Sequence, residues 1–251
     1  MDAMESPECE ICKGTGWRYL ESVEPHGVAP CLCVEKKKLE KLVHVANIPP
    51  RYEHCSFENF NPITDRLKVV KAAALKFVED YPVVDCGLLI LGPCGVGKTH
   101  LAVSILREII HRWGAQGLFC DFRELLKRIQ NSYNPVSQSS ELEILDPVLN
   151  CDPLVLDDLG AERPTEWVRE TVSYIINSRY NRRLTTIITT NFDDQPRESK
   201  VLSNGTILPK DESLEDRIGT RLRSRLYEMC KVIRIEGDDF RLKVKQAQYQ
   251  H

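Results

Sequence analysis

The run Leu88-Leu89-Ile90-Leu91-Gly92-Pro93-Cys94-Gly95-Val96-Gly97-Lys98-Thr99 decides how the rest of the chain is read. Consecutive aliphatic residues give way to G-x-x-x-x-G-K-T, and an amphipathic stretch from His100 to Trp113 follows. In a strand–loop–helix setting this spacing lets backbone N–H groups curl around the phosphates of a nucleoside triphosphate. The glycines permit the curl, and the helix N-terminus adds partial positive charge. Gly92, Pro93, Cys94, Gly95, Val96, Gly97, Lys98, Thr99 and His100 are therefore the expected nucleotide-binding positions. Lys98 is placed to reach the outer phosphates, and the Thr99 hydroxyl to hold Mg²⁺. A glycine-rich turn that merely contains Lys-Thr is the alternative, and both flanks argue against it.

Downstream, Leu154-Val155-Leu156-Asp157-Asp158-Leu159-Gly160 is an apolar strand ending in two carboxylates. Beside a phosphate loop, the first suits the metal's water shell and the second the attacking water. The β-branched run Thr185-Thr186-Ile187-Ile188-Thr189-Thr190-Asn191 reads as another strand whose polar end carries Asn191. Parallel α/β sheets place their ligands at the carboxyl ends of strands, so Asn191 should face the same crevice. Leu67, Val70, Ala74, Phe77, Val78 and Tyr81 fall at helical spacing before the first strand, and Pro82 stops that helix. After the phosphate loop, Leu101, Ile105, Leu106, Ile109, Ile110 and Trp113 form the expected buried face of a helix ended by Gly114. Leu118-Phe119-Cys120-Asp121-Phe122 is a further strand, followed by helical patterns over 123–130 and 141–150 with a polar loop between them. Val168, Val172, Ile175, Ile176 and Tyr180 mark the helix between the two carboxylate- and asparagine-ended strands.

Between Ser213 and Leu226 two stripes run side by side on one expected helix: Leu214, Ile218, Leu222 and Leu226, and Arg217, Arg221 and Arg225, with Arg223 as an extra. One stripe packs down and the other presents guanidinium groups, either as a solvated basic face or as phosphate contacts to a neighbouring subunit or nucleic acid. Lys231-Val232-Ile233-Arg234-Ile235 reads as the last strand.

The chain has 251 residues, 42% of them hydrophobic, enough for one large α/β domain with a small appendage. The acidic start, Met1-Asp2-Ala3-Met4-Glu5-Ser6-Pro7-Glu8, has no apolar h-region and no stretch is long enough to span a membrane, so a cytoplasmic location is expected. A net charge of −3 excludes a surface dominated by nucleic-acid contacts but leaves room for a local basic patch. Ten cysteines in such a compartment point to metal binding before disulfides. Cys9 and Cys12 form C-x-x-C, and Cys31 and Cys33 form C-x-C. Two thiolate pairs on two turns can close a tetrahedral S₄ site for structural Zn²⁺, with His26 or His44 able to replace one sulfur. A segment this short cannot fold on its own core, so metal would supply its stability. The alternatives are a leader with free thiols and a redox C-x-x-C, the latter disfavoured because no βαβ pattern surrounds it. The charged run Val34 to Val43 reads as a short helix, and Ile48-Pro49-Pro50-Arg51-Tyr52 as the start of the next domain. Ser56-Phe57-Glu58-Asn59-Phe60-Asn61-Pro62 reads as extended and aromatic, packed on the domain's edge.

This ordered set resembles the AAA+ ATPases, and within them the bacterial replicative-helicase loaders of the DnaC/DnaI type and the related transposition helper IstB. The resemblance runs over residues 48–241. It rests on residues 92–99 as Walker A, 154–160 as Walker B, Thr190-Asn191 as sensor 1, and Ser224-Arg225-Leu226 as the arginine-finger box. Gly237-Asp238-Asp239-Phe240-Arg241 is similar to the short sensor 2 signature of these loaders. It implies a three-layer P-loop fold with a parallel five-stranded sheet, preceded by the small cysteine segment, and no helical lid domain after Arg241. The implied organisation is residues 1–47 as a partner-binding segment, 48–245 as the ATPase domain and 246–251 as a polar tail. The implied catalytic set is Lys98 on the β/γ-phosphates, Asp157 with Thr99 on Mg²⁺, Asp158 as base, Asn191 placing the water, Arg225 reaching the γ-phosphate of an adjacent subunit, and Arg241 contacting nucleotide in cis. Arg221 is the next candidate for the finger. Asp158 stands where many AAA+ proteins have the longer Glu, which implies slow hydrolysis stimulated by DNA or a partner. The helical element within 123–150 resembles that of initiator-type AAA+ proteins, which forces open, spiral assemblies.

The resemblance implies ATP and Mg²⁺ as cofactors, with structural Zn²⁺ in the N-terminal unit. The implied partners are a DnaB-type hexameric replicative helicase, single-stranded DNA and further copies of the chain, with no membrane. Three other functions compete with helicase loading: an IstB-like transposition helper on duplex DNA, an interaction module with a structural nucleotide and little hydrolysis, and a small-molecule P-loop kinase. The intact Lys98, Asp157 and Asn191 argue against the second, and the Arg225 and Arg241 pattern without an acceptor-binding lid against the third.

Overall fold

Two short antiparallel strands open the molecule: β1 (Trp17–Leu20) and β2 (Gly27–Pro30), paired with Trp17 opposite Pro30 and Tyr19 opposite Val28. The computed structural model describes residues 9–20, 27–84, 86–134, 140–194 and 212–242. His26, the acidic start at 1–8, part of the polar loop at 135–139 and the tail at 246–251 lie outside the described residues. Cys31 caps helix α1 (Leu32–Val45), a highly charged helix that packs Leu42 and Val43 against the main core. It ends at Ala46, which is fully buried and whose carbonyl accepts the Phe119 amide at 2.7 Å. The charged helix is therefore tied to the edge of the main body.

That body follows the order α2 (Asp65–Asp80), β3 (Gly87–Leu91), α3 (Lys98–Trp113), β4 (Leu118–Asp121), α4 (Phe122–Ser132), α5 (Glu141–Asn150), β5 (Leu154–Asp157), α6 (Glu166–Asn181), β6 (Thr186–Thr190), α7 (Leu214–Ile218), α8 (Thr220–Met229) and β7 (Cys230–Arg234). The last five strands form one parallel sheet in the order β4-β5-β6-β3-β7. Strands buried on both faces read as continuous aliphatic runs, as β3 and β5 do. Alternation then divides the core. Leu88, Ile90, Val155, Ile187 and Ile233 face α2 and α3, while Leu89, Leu91, Leu154, Leu156 and Ile188 face α4, α5, α6 and α8. The result is the expected three-layer arrangement. No helix among the described residues is long and apolar enough to cross a membrane.

Several local expectations are corrected. Residues 56–60 do not extend: Asn59 and Ser56 exchange side-chain-to-amide bonds, the Phe60 amide donates to the Ser56 carbonyl at 3.1 Å, and the turn buries Phe57 and Phe60. Trp113, the last residue of α3, is 48% exposed, with its indole N–H donating to the Val78 carbonyl at 2.9 Å. Phe122 starts α4 because Asp121 caps it, accepting the Glu124 amide. Val168 and Tyr180 are only half-buried. The single helix expected over 213–226 is two: at Gly219 the backbone takes φ 86°, ψ 153°, a conformation that no helix interior holds. Leu214, Ile218, Leu222 and Leu226 are all buried nonetheless.

Arg179 was not expected in the core and is fully buried there. It lies on the apolar stripe of α6, three and four residues beyond Ile176 and Ile175. Its guanidinium donates to Thr186 Oγ1 (2.9 Å) and to the carbonyls of Val148 (2.8 Å), Cys151 (3.0 Å) and Thr185 (2.7 Å). It thereby staples the end of α5 to the start of β6. We expect Arg179→Leu to strand these acceptors and lower stability by about 3 kcal/mol or more. Urea unfolding measures it, and a loss below about 1 kcal/mol would show that the acceptors find other donors.

Candidate nucleotide-hydrolysis site

The sheet order brings the site together. β3 lies between β6 and β7, and the chain leaves it through α3 for the far edge at β4 before returning. Such a reversal opens a crevice at the carboxyl ends of the strands. Leu91 pairs with Thr190, so Gly92 and Asn191 emerge side by side. Lys98 is buried in the first turn of α3, with its ammonium donating to the Pro93 carbonyl at 2.7 Å and to Asn191 Oδ1 at 2.6 Å. Burial draws its pKa down, opposed by Cys94, Asp158 and Asp157.

Asp157 is the hub. It accepts from Thr99 Oγ1 at 3.0 and 3.1 Å and from Thr189 Oγ1 at 2.6 Å. Thr189 Oγ1 also accepts the Asp158 amide at 2.9 Å, so one hydroxyl braces both carboxylate residues. Asp158 has a left-handed backbone, φ 59°, uncommon for a residue with a Cβ. Its carboxylate accepts from Asn191 Nδ2 at 2.8 Å. A bonded chain thus runs from Pro93 through Lys98 and Asn191 to Asp158. Thr189 joins neither motif and was not singled out; its only sequence signal is its place near the end of a threonine-rich strand.

Two further segments hold the loop. Gly95 has φ 80°, and a Cβ there would run into the Asp239 carboxylate. The Phe240 amide donates to the Gly95 carbonyl at 3.1 Å, so residues 237–241 lie against the loop, and the charge of Arg241 acts on both Lys98 and Tyr52. On the other side the Phe60 ring meets His100 edge-on at 5.5 Å, and His100 Nε2 lies 3.1 Å from the Ser56 carbonyl. The His100 side chain is thus engaged with the 56–60 turn. Cys94 is exposed within the loop. Arg225 is elsewhere: it bonds Asn177 and lies over the Tyr180 ring at 5.7 Å, on the surface where α8 meets α6. Arg221 is exposed, with no ion pair or hydrogen bond of its side chain among the described residues.

Chemically, the glycine loop and the α3 N-terminus can cradle a triphosphate, and Lys98 can exchange its present acceptors for phosphate oxygens. Thr99 and Asp157 would hold Mg²⁺, which would neutralise phosphate charge, and their mutual contact shows a hydroxyl and a carboxylate aimed at one point. Asp158 and Asn191, in contact, offer a proton acceptor and an orienting amide for one water.

The N-terminal cysteines form a second centre. The sulfurs of Cys9, Cys12, Cys31 and Cys33 all lie within 4.8 Å of one another, with Cys9–Cys31 at 3.7 Å and Cys12–Cys33 at 3.5 Å. A tetrahedron with metal–sulfur bonds of about 2.3 Å has edges of about 3.8 Å. The donor set therefore fits a metal ion of zinc's size and softness. His44, in the last turn of α1, is outside this group. The backbone N–H groups of Cys12 and then Ile11 draw the Cys9 thiol down to about 6.

Known proteins resemble this chain over most of its length. The family model described as IstB-like ATP binding protein matches residues 29–248. The replicative helicase loader DnaC of Escherichia coli (strain K12) is 25% identical over 181 residues, covering 70% of this chain and 73% of that one. A crystal structure of the DnaC helicase loader superposes with a TM-score of 0.62 at 36% identity, covering 74% of this chain and 99% of that one. The crystal structure of DnaI gives 0.58 at 26% identity, covering 77% and 94%.

Burial pushes the Asp157 carboxyl from 3.8 up to about 6, outweighing the bonds from Thr189 and Thr99. The ionised side chain thus costs the nucleotide-free fold about 3 kcal/mol. That cost is fully present above pH 6 and is relieved as the folded protein takes up a proton between pH 6 and 4. We expect Asp157→Asn to gain stability over the parent by about 2 kcal/mol more at pH 7.5 than at pH 4. Urea titrations of both proteins at the two pH values test this; a constant difference would refute it.

Proposed function

The chain belongs to the family of IstB-like ATP-binding proteins, among the AAA+ ATPases of the DnaC/DnaI helicase-loader type, and on that premise we propose that it is an ATP-controlled loader delivering a hexameric replicative helicase of the DnaB type onto single-stranded DNA in the cytoplasm. The observation that carries the reading is a site assembled, among the described residues, without Arg225. Lys98, Asp157, Asp158 and Asn191 are bonded into one network, whereas Arg225 faces outward from α8. In this reading Arg225 completes the site of an adjacent copy, ATP closes the subunit contact, and hydrolysis opens it. The short Asp158 makes hydrolysis slow, with DNA or the helicase as the accelerator. Arg241, beside the phosphate loop, contacts nucleotide in its own subunit. The four-cysteine unit, joined to the ATPase through α1, is the separate module that meets the helicase, with Zn²⁺ as its structural ion.

The IstB-like match favours a second reading, which the resemblance to IstB suggests: a helper ATPase that works with a transposase on duplex DNA. Co-purification with the host's replicative helicase, using the chain with and without residues 1–47, separates the two. Retention by the full chain and loss on truncation supports loading; no retention by either supports the transposition role.

Two outcomes are expected at the sites themselves. Lys98→Ala loses ATP binding in a fluorescent-analogue titration, and parental affinity would refute the assignment. Metal analysis of protein purified under reducing conditions finds about one zinc per chain, and Cys12→Ser lowers that content; protein with no metal would refute the zinc site.

A further inference from the structure

Helix α8 faces two ways. Positions two apart on a helix differ by about 200° around its axis, so Arg223 and Arg225 point to opposite sides. Arg225 faces outward, over Tyr180. Arg223 faces inward and grips Asp194 with two nitrogens, one on each carboxylate oxygen, the Nη2–Oδ2 bond being 2.7 Å. Asp194 is buried, and Arg223 is braced by the Tyr227 ring at 5.0 Å. The hydrogen bonds from Arg223 hold the Asp194 carboxyl below its usual range, against the opposing effect of burial.

Asp194 is three residues beyond Asn191, and the residues between them are held by the same region. Phe192 lies under the Arg217 guanidinium at 4.5 Å. The Asp193 carboxylate accepts from Arg234 of β7 at 2.9 Å, and its carbonyl accepts the Leu214 amide of α7 at 2.8 Å. The segment that carries Asn191 out of the sheet is therefore clamped by α7, α8 and β7. Asn191 in turn bridges Lys98 and Asp158 at 2.6 and 2.8 Å, where a displacement of about 1 Å can cost up to 100-fold in rate.

We propose that Arg223 and Asp194 are positioning residues: their two-point ion pair links α8, whose outer side meets the neighbouring copy, to Asn191 in the same subunit, so that subunit contact sets each chain's own hydrolytic geometry. This rests on the outward role given to Arg225 above. A neighbour that fixes α8 fixes Arg223, and through Asp194 it orders the asparagine beside the water-activating carboxylate. In this reading the pair acts through Asn191, not directly on nucleotide or water.

The test uses the full chain and reads ATPase rate against protein concentration, fluorescent ATP-analogue affinity, and assembly by size-exclusion chromatography. In the parent, rate per chain rises as copies assemble. Arg223→Gln and the near-isosteric Asp194→Asn are expected to keep analogue affinity and KM within about twofold and to assemble as the parent does, yet to lose about tenfold in kcat at saturating ATP. Arg223→Lys, which keeps the charge but not the fork, recovers part of that loss. Parental kcat in both variants, or a fall in affinity matching the fall in kcat, overturns the proposal. Arg225→Ala, run in parallel, separates it from the reading it rests on. Loss of the concentration-dependent rate in Arg225→Ala with no loss in the clamp variants leaves the outward arginine standing and removes the clamp. A parental rate in Arg225→Ala removes the subunit contact and the coupling with it.

Discussion

Asp157 accepts one hydroxyl from the start of α3 and another from the end of β6, and through these contacts three separate stretches of chain converge on one carboxylate. The group is buried, so the fold must hold an anion where water would otherwise solvate it. Hydroxyl donors, the nearby Lys98 charge and, when bound, a cation offset that cost. The arrangement is therefore poor as a stabilising device and well suited to binding a metal nucleotide, the usual relation between a site and its scaffold. Thr189 extends the hub by bracing the Asp158 amide, and Asp158 in turn engages Asn191 and, beyond it, Lys98.

Around this centre the molecule divides into parts of different rigidity. The sheet between α2–α3 and α4–α6 is closed by aliphatic packing and by the Arg179 staple at its amino-terminal end. The loops at the other end rest on few contacts each: the 56–60 turn under His100, the 237–241 segment over Gly95, and the arginine clamp behind Asn191. The small N-terminal hairpin keeps Trp17 and Tyr19 largely exposed and has little core of its own. The cysteine cluster joins it to the start of α1, whose far end is buried at Ala46 against Phe119.

Much of this was legible in the residues. The P-loop, the paired carboxylates and the asparagine-ended strand are local patterns whose spacing carries its own geometry, and a parallel sheet brings their ends together. The four cysteines were likewise legible as two pairs, though their closure into one cluster rests on Cys31 capping α1 and so turning Cys33 back toward Cys12. Other expectations failed for identifiable reasons. Arg179 occupies an apolar stripe position, but its charge hid it. The i, i+4 pattern from Leu214 to Leu226 holds for burial, yet Gly219 breaks the helix without breaking the pattern. Phe57 and Phe60 suggested an extended segment on the domain's edge, whereas Ser56 and Asn59 close a turn.

The sequence by itself determined most helices and strands of the main body, its parallel sheet and the phosphate-loop motif, because helical and strand periodicity and the glycine spacing are short-range properties. Only the tertiary structure decided which arginine faces which way. Arg217, Arg221, Arg223 and Arg225 are equivalent as letters, and their roles are set by what stands opposite: Phe192 for the first, no partner among the described residues for the second, Asp194 for the third, and Asn177 with Tyr180 for the last. Those partners lie 25 to 48 residues away in the chain, and a charge's role depends on its distance to the opposite charge, which no local pattern encodes.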